Sequence, residues 1–211
     1  MNNLVEITNV TKSFSGENVL KSITVSFESG EIHGIIGRNG SGKTVLFKCI
    51  CGFLTVDTGK ILINGNEVKP TAAQSIGIIL ETPGFIGSLS GYRNLELLAS
   101  LNKKIKPKQI CDAMASVGLD PNSKKHVAKY SLGMKHRLGI AQAMMETPML
   151  LVLDEPMNGL DKKGVLEIRE LFKKLSQRGV TIIMSSHYTE DIDALCKTVC
   201  EMDGGVLKRI K

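Results

Sequence analysis

The stretch GRNGSGKT at residues 37–44 constrains this chain more than any other. It fits the pattern G-x-x-x-x-G-K-[ST]. It follows EIHGIIG (31–37), a short apolar run, and leads into TVLFKCICGFL (44–54), whose apolar spacing is helical. The glycines of such a strand–turn–helix unit let backbone N–H groups point inward around phosphate oxygens, and the helix N-terminus adds positive potential. Lys43 can reach the outer phosphates, and Thr44 can place its hydroxyl on Mg²⁺. An ordinary Gly-Ser turn with an incidental lysine would need neither flank.

A second chemical signal lies at LLVLDEP (150–156). The preceding MLLVL reads as a fully buried strand, so Asp154 and Glu155 stand at its carboxyl end, where open α/β sheets bind ligands. Asp154 is placed to hold Mg²⁺, through water. Glu155 can polarise an attacking water as general base. Phosphate-loop kinases and GTPases also carry an aspartate there, so the pair does not choose among families.

The remaining pattern frames these two sites. NLVEITNV (3–10) and LKSITVSF (20–27) alternate as half-buried strands do, and ILING (61–65) reads as a strand ending at an Asn64-Gly65 turn. From Ser88 to Met145 the character is helical. Pro107 opens one helix, with Ile110, Met114 and Val117 inward and Gly118 at its end. Ser131 caps another, with Leu138, Ala141 and Met145 on one face. Asp161 caps a third helix, with Val165, Ile168, Leu171, Phe172 and Leu175 inward and Gly179 closing it. VTIIM (180–184) is another buried strand, and TVCEMDGGVLKRI (198–210) a closing hairpin. The expected architecture is one α/β domain over 1–211: a parallel core, an antiparallel β part at the front, and a helical lobe inserted at about 85–145.

The chain has 211 residues, 42% hydrophobic and 23% charged, enough apolar material for a core. MNNLVEITNV has no basic and then apolar segment, and runs such as MLLVL are too short to cross a bilayer, so a cytosolic location is expected. Cys49, Cys51, Cys111, Cys196 and Cys200 form no C-x-x-C pair and read as reduced, buried small hydrophobes. Between Leu101 and Arg137 nine bases face only Asp112 and Asp120, so this lobe sums to +7 and the rest of the chain to −1, within a net charge of +6. A solvated lysine-rich face, an anionic membrane surface or a nearby polyphosphate would each account for it.

Four further segments lie in a telling order. YSLGMKHR (130–137) resembles the signature sequence of ATP-binding cassette (ABC) ATPases, usually written LSGGQ, and precedes the acid pair as in that family. NGLD (158–161) resembles the D-loop, and SSHYTED (185–191) the switch segment, with His187 as its histidine. Phe14, in TKSF, sits where the family has an aromatic that stacks on adenine. The resemblance spans nearly the whole chain. A kinase or GTPase reading would leave the signature segment and His187 unexplained.

This resemblance implies a phosphate-loop ABC ATPase core with an antiparallel β subdomain and an inserted α-helical subdomain, and ATP with Mg²⁺ as ligands. Phe14, Gly37, Arg38, Asn39, Gly40, Ser41, Gly42, Lys43 and Thr44 would hold the nucleotide. Ser131, Gly133 and Asp161 would complete the same site from a second subunit. Thr44, Glu81 and Asp154 would face the metal, and Glu155, His187 and Lys43 would carry the chemistry. His33, His126 and His136 read as structural.

Glu81, in IGIILETPGF (76–85), and His136 depart from the family's usual glutamines. "ETP" is a trait of a bacterial subgroup similar to bacitracin and lantibiotic exporters. The implied partners are an integral membrane permease and a second ABC subunit, identical or not, with no nucleic acid expected. The chain would then sit at the inner face of the membrane through its permease. The competing expectation is a non-transport ABC ATPase acting on nucleic acid, ribosomes or a protein-assembly complex. The basic lobe favours it; the lack of aromatic–basic alternation opposes it.

Overall fold

Residues 2–69, 75–80, 84–101 and 105–211 are described in the computed structural model. The alternation near the N-terminus forms an antiparallel hairpin, β1 (Asn3–Phe14) and β2 (Glu17–Glu28). Val5, Ile7, Val10, Leu20, Ile23 and Phe27 face the interior. Both strands run past the alternating stretches. The added residues are held by polar bonds rather than by an apolar face: Lys12 Nζ and the Ser13 N–H each donate to Asp57 at 2.7 Å.

The chain continues through β3 (Ile32–Ile36), α1 (Lys43–Ile50), β4 (Thr58–Ile63), β5 (Asn66–Glu67) and β6 (Ile76–Ile79). Helix α1 ends four residues before Leu54, because Gly52, with φ +75°, turns the chain. Asn64 and Gly65 both have positive φ, as a two-residue hairpin turn requires. Strand β6 has no counterpart in the sequence reading. Then come α2 (Gly91–Leu101), α3 (Pro107–Ser116), α4 (Leu132–Met144), β7 (Leu150–Leu153), α5 (Lys162–Gln177), β8 (Thr181–Ser185), α6 (Thr189–Leu195), β9 (Thr198–Asp203) and β10 (Val206–Arg209).

The strands form two sheets. One is antiparallel, in the order β2-β1-β4-β5. The other runs β10-β9-β3-β8-β7-β6 and is parallel except for β10. Helix α1 lies in the core between them: Leu46, Phe47 and Ile50 pack with Val5, Phe27, Val152 and Ile183. Fully buried side chains such as Phe27 and Phe47 each contribute roughly 2 kcal/mol of transfer free energy. A second core joins α2, α3, α4 and α5 to the opposite face of the parallel sheet, with Leu95, Met114, Leu138, Ile168 and Phe172 at its centre. The two cores fix the carboxyl ends of β3, β8 and β7 side by side, and the glycine loop, the switch segment and the acid pair follow from those ends.

All five cysteines are free thiols. Cys49, Cys196 and Cys200 are buried; Cys51 and Cys111 are only partly so, which corrects the expectation of five buried side chains. Burial pushes the thiols of Cys51 and Cys196 up to about 12, so neither is a reactive thiolate. His33 is fully buried, with Nδ1 2.8 Å from Thr198 Oγ1 and Nε2 2.9 Å from the Glu28 carbonyl. Burial lowers its pKa, which favours the neutral ring.

Candidate nucleotide site

The glycine loop joins β3 to the first turn of α1, and its backbone is left open there. Gly42 is the N-cap, with φ +112° and no side-chain cap. A Cβ on it would lie 3.0 Å from the Val19 carbonyl oxygen, so backbone conformation and close approach both call for glycine. Arg38, Asn39 and Gly40 are exposed, whereas Ser41, Gly42 and Lys43 are buried. Lys43 Nζ donates to the carbonyls of Gly37 at 2.6 Å and Arg38 at 3.1 Å, which holds the ammonium over the loop. Ser41 Oγ is buried without a hydrogen-bond partner among the described residues. An orphaned hydroxyl, uncapped helix N–H groups and a lysine on one loop fit the oxygens of a phosphate chain.

The acid pair closes on this loop. Asp154 Oδ2 accepts from Thr44 Oγ1 at 2.7 Å, and Oδ1 accepts from Ser185 Oγ at 2.6 Å. The Glu155 N–H donates to the same serine oxygen at 3.0 Å. Ser185 therefore orients both acids, a role the sequence reading missed. The signal was the strand register: Leu153 pairs with Met184, which sets Asp154 beside Ser185. Glu155 has φ +50°, a left-handed conformation that costs a non-glycine residue about 1 kcal/mol and clusters at functional sites.

His187 faces Glu155 twice. Its N–H donates to Oε2 at 3.3 Å, and Nε2 lies 3.2 Å from Oε1. Burial raises the Glu155 pKa above its ordinary value; His187 opposes this, Asp154 adds to it, and Lys43 opposes it. A carboxylate with raised affinity for a proton suits a general base.

Gly42, Lys43, Thr44, Asp154, Glu155 and His187 thus line one cavity of about 230 Å³. The Thr44 hydroxyl and Asp154 carboxylate could hold Mg²⁺, which is commonly bound by one or two carboxylates with water and substrate phosphates. Among the described residues no cluster of three His, Cys, Asp or Glu offers a metal cage of its own. Phe14 ends β1 and is 44% exposed, with Lys12 Nζ 5.5 Å from its ring centroid. It is therefore not a core aromatic; the Lys12 ammonium lies over its ring, and Phe14 does not line the cavity. Glu81 lies outside the described residues.

Ser131, Gly133 and Asp161 do not line the cavity. Ser131 is exposed, and its Oγ accepts from the Met134 N–H at 3.2 Å as the α4 cap. Asp161 Oδ1 caps α5 through the Gly164 N–H at 2.8 Å. The two caps neighbour each other: a Cβ on Gly133 would lie 2.9 Å from the Gly159 carbonyl oxygen, so the α4 start rests on the loop before Asp161. His136 is buried in α4, as a structural histidine would be.

The sequence model of the family described as ABC transporter matches residues 20–158. The uncharacterized ABC transporter ATP-binding protein YybJ of Bacillus subtilis (strain 168) is 38% identical over 207 residues, covering 97% of this chain and 95% of YybJ. The bacitracin transport ATP-binding protein BcrA of Enterococcus faecalis is 39% identical, covering 98% of this chain and 68% of BcrA. The fold also matches the dimeric post-hydrolysis structure of the ATP-binding cassette MJ0796 bound to ADP and Pi, with a TM-score of 0.87, 21% identity and coverage of 98% and 99%. The chain belongs to the ABC transporter family, as an ATP-binding and ATP-hydrolysing subunit.

Proposed function

We propose that this chain powers an exporter by closing in pairs around ATP and reopening on hydrolysis. The observation that carries the reading is the single cavity joining Lys43, Thr44, Asp154, Glu155 and His187. In this scheme the 37–44 loop and Lys43 hold the phosphates and Phe14 stacks on adenine. Thr44 and Asp154 would hold Mg²⁺, which would offset charge on the outer phosphates. Glu155 takes a proton from the attacking water as the bond to the γ-phosphorus forms, and ADP leaves as the γ-phosphate is released. His187 keeps Glu155 in place and can donate to the γ-phosphate.

Ser131, Gly133 and Asp161 act on the ATP of a second ABC subunit, identical or related. The exposure of Ser131 and Asp161, and the position of all three away from the chain's own cavity, support this, and the dimer named in the MJ0796 structure agrees with it. Kinship with a bacitracin transport protein supports export as the direction. No helix among the described residues is long and apolar enough to cross a membrane. In this reading a separate permease carries the transport path and holds the chain at the inner membrane face. A groove of about 740 Å³ supports such a partner: it is lined by Leu80, Gly84, Leu98 and Leu101 and bordered by Phe53, 63% exposed.

Two experiments test the reading. Ser131→Arg leaves ATP binding intact and abolishes ATP-driven dimerisation and turnover; normal turnover overturns the paired site. Purification of the tagged chain in mild detergent brings down an integral membrane protein. Recovery of ribosomes or nucleic acid instead overturns the transport role.

A further inference from the structure

One buried charged pair stands outside the cavity. Asp191, in α6, is 2% exposed, and its Oδ1 accepts from Arg169 Nε at 2.9 Å and from Nη2 at 2.5 Å. Arg169 projects from α5, with its side chain 18% exposed. The second carboxylate oxygen of Asp191 accepts from Ser186 Oγ at 2.9 Å. Ser186 Oγ in turn accepts from the Tyr188 N–H at 3.1 Å, and the Asp191 N–H donates to the Tyr188 carbonyl at 3.1 Å. The residues immediately before and after His187 are therefore both tied to Asp191, and Asp191 is tied to α5. His187 itself leaves this frame with half its side chain exposed and reaches Glu155.

Stability is a poor explanation for such a pair. Removing two charges from water offsets most of their attraction, and apolar replacements of similar volume are often neutral or stabilising. Geometry is the better one. A guanidinium and a hydroxyl that both bond one carboxylate fix its plane, and a fixed carboxylate fixes the turn on either side of His187. A few tenths of an ångström matter at the two contacts with Glu155, which are already long at 3.2 and 3.3 Å.

We infer that Arg169, Asp191 and Ser186 are positioning residues that hold His187 against Glu155 and tie it to α5, the helix capped by Asp161. The inference rests on the proposed roles of His187 and Glu155. It adds a mechanical link: any shift of α5 relative to the sheet is passed through Arg169 to the switch histidine.

The test uses two variants of the full chain. Ser186→Ala removes the hydroxyl and leaves Asp191 paired with Arg169. Arg169→Met with Asp191→Leu replaces both charges together, so neither remains unpaired. Thermal midpoint, KM for MgATP, kcat and the ¹³C-labelled histidine ring signals are measured for each. With four histidines in the chain, each ring signal is assignable by substitution.

The midpoint should stay within about 4 °C of the parent. The KM should stay within about threefold while kcat falls about tenfold or more. The His187 ring signal should shift or broaden while that of His33 stays. In a His187→Ala background, Ser186→Ala should cause no further loss of kcat. An unchanged His187 signal in both variants overturns the inference, as does an equal loss of kcat from Ser186→Ala with or without His187. Full turnover in His187→Ala alone overturns the role given to that histidine instead, and the ring signal then decides the positioning on its own.

Discussion

Helices α1 and α4 both begin beside residues with a proposed phosphate role, yet their first turns are finished in opposite ways. At α1 the N-cap is Gly42, with no side chain to occupy the open N–H groups, and Ser41 Oγ beside it is buried without a partner among the described residues. Lys43, Thr44, Asp154, Glu155 and His187 surround that end. At α4 the N-cap is Ser131, whose hydroxyl already accepts from Met134, and the turn is partly exposed beside the Asp161 cap, away from the cavity of Lys43 and Glu155. One end is unsatisfied and enclosed, as a site that must capture its ligand has to be. The other is satisfied and open, as suits a surface that meets a ligand already held elsewhere.

The sharpest way to break that comparison is to disable chemistry at the enclosed end without touching capture. Glu155→Gln keeps size and backbone contacts but removes the base. Turnover should fall by about 10²–10⁴-fold, the usual contribution of a positioned general base. ATP affinity, read by equilibrium binding of a fluorescent nucleotide, should change little. A loss of affinity equal to the loss of turnover would make Glu155 part of the capture site instead.

Ser185→Ala comes next. The serine donates to Asp154 and accepts from the Glu155 N–H, so its loss frees two acids at once. A hydrogen bond to a charged group contributes about 1.5–3 kcal/mol, so turnover should fall roughly 10- to 100-fold, with a matching rise in the Mg²⁺ needed for half-maximal rate. Unaltered metal dependence would detach Ser185 from Asp154.

Ser185 also marks the limit of what the sequence discloses. The glycine loop, the acid pair and the three capped helices are legible because each depends on residues close together in the chain. Ser185 acts through the pairing of β7 with β8, a contact between residues 31 apart, and no local pattern encodes it. Strand β6 is hidden for a related reason. IGII is too short to assign, and Gly77 is there because α4 crosses it: a Cβ would meet the Ala143 carbonyl oxygen at 1.9 Å. That requirement is set by tertiary packing alone. The pair Arg169–Asp191 likewise joins α5, legible as an amphipathic helix, to α6, which the sequence reading did not assign as a helix.

The pH profile should separate the two ends by a smaller margin. Burial holds the Glu155 pKa above the ordinary glutamate value, and His187 is the largest opposing influence. A general base works only when ionised, so activity is lost as pH falls through its pKa. The acid limb of kcat/KM should therefore lie at higher pH than for an exposed glutamate. His187→Ala removes the opposing influence and should move the limb higher still. Ser131 variants should leave it where it is, because nothing at the α4 start faces Glu155 within the chain. A limb that moves with Ser131 would merge two regions that the geometry separates.

The smallest effects distinguish capping from phosphate holding at Ser131 itself. Aspartate caps a helix about as well as serine, whereas alanine loses the cap at about 1 kcal/mol. Ser131→Ala should lower the thermal midpoint by about 2–4 °C, the shift expected for that loss in a chain of this size. Ser131→Asp should leave the midpoint near the parent value, since its carboxylate can accept from the Met134 N–H in the same way. The order reverses for function. Aspartate turns a negative charge toward the place where a partner's γ-phosphate would arrive, so ATP-driven dimerisation should weaken more in Ser131→Asp than in Ser131→Ala. Sedimentation with MgATP reads this directly. If the two variants rank alike in midpoint and in dimerisation, Ser131 only caps α4; if they rank oppositely, the hydroxyl serves its own helix and the neighbouring subunit's nucleotide.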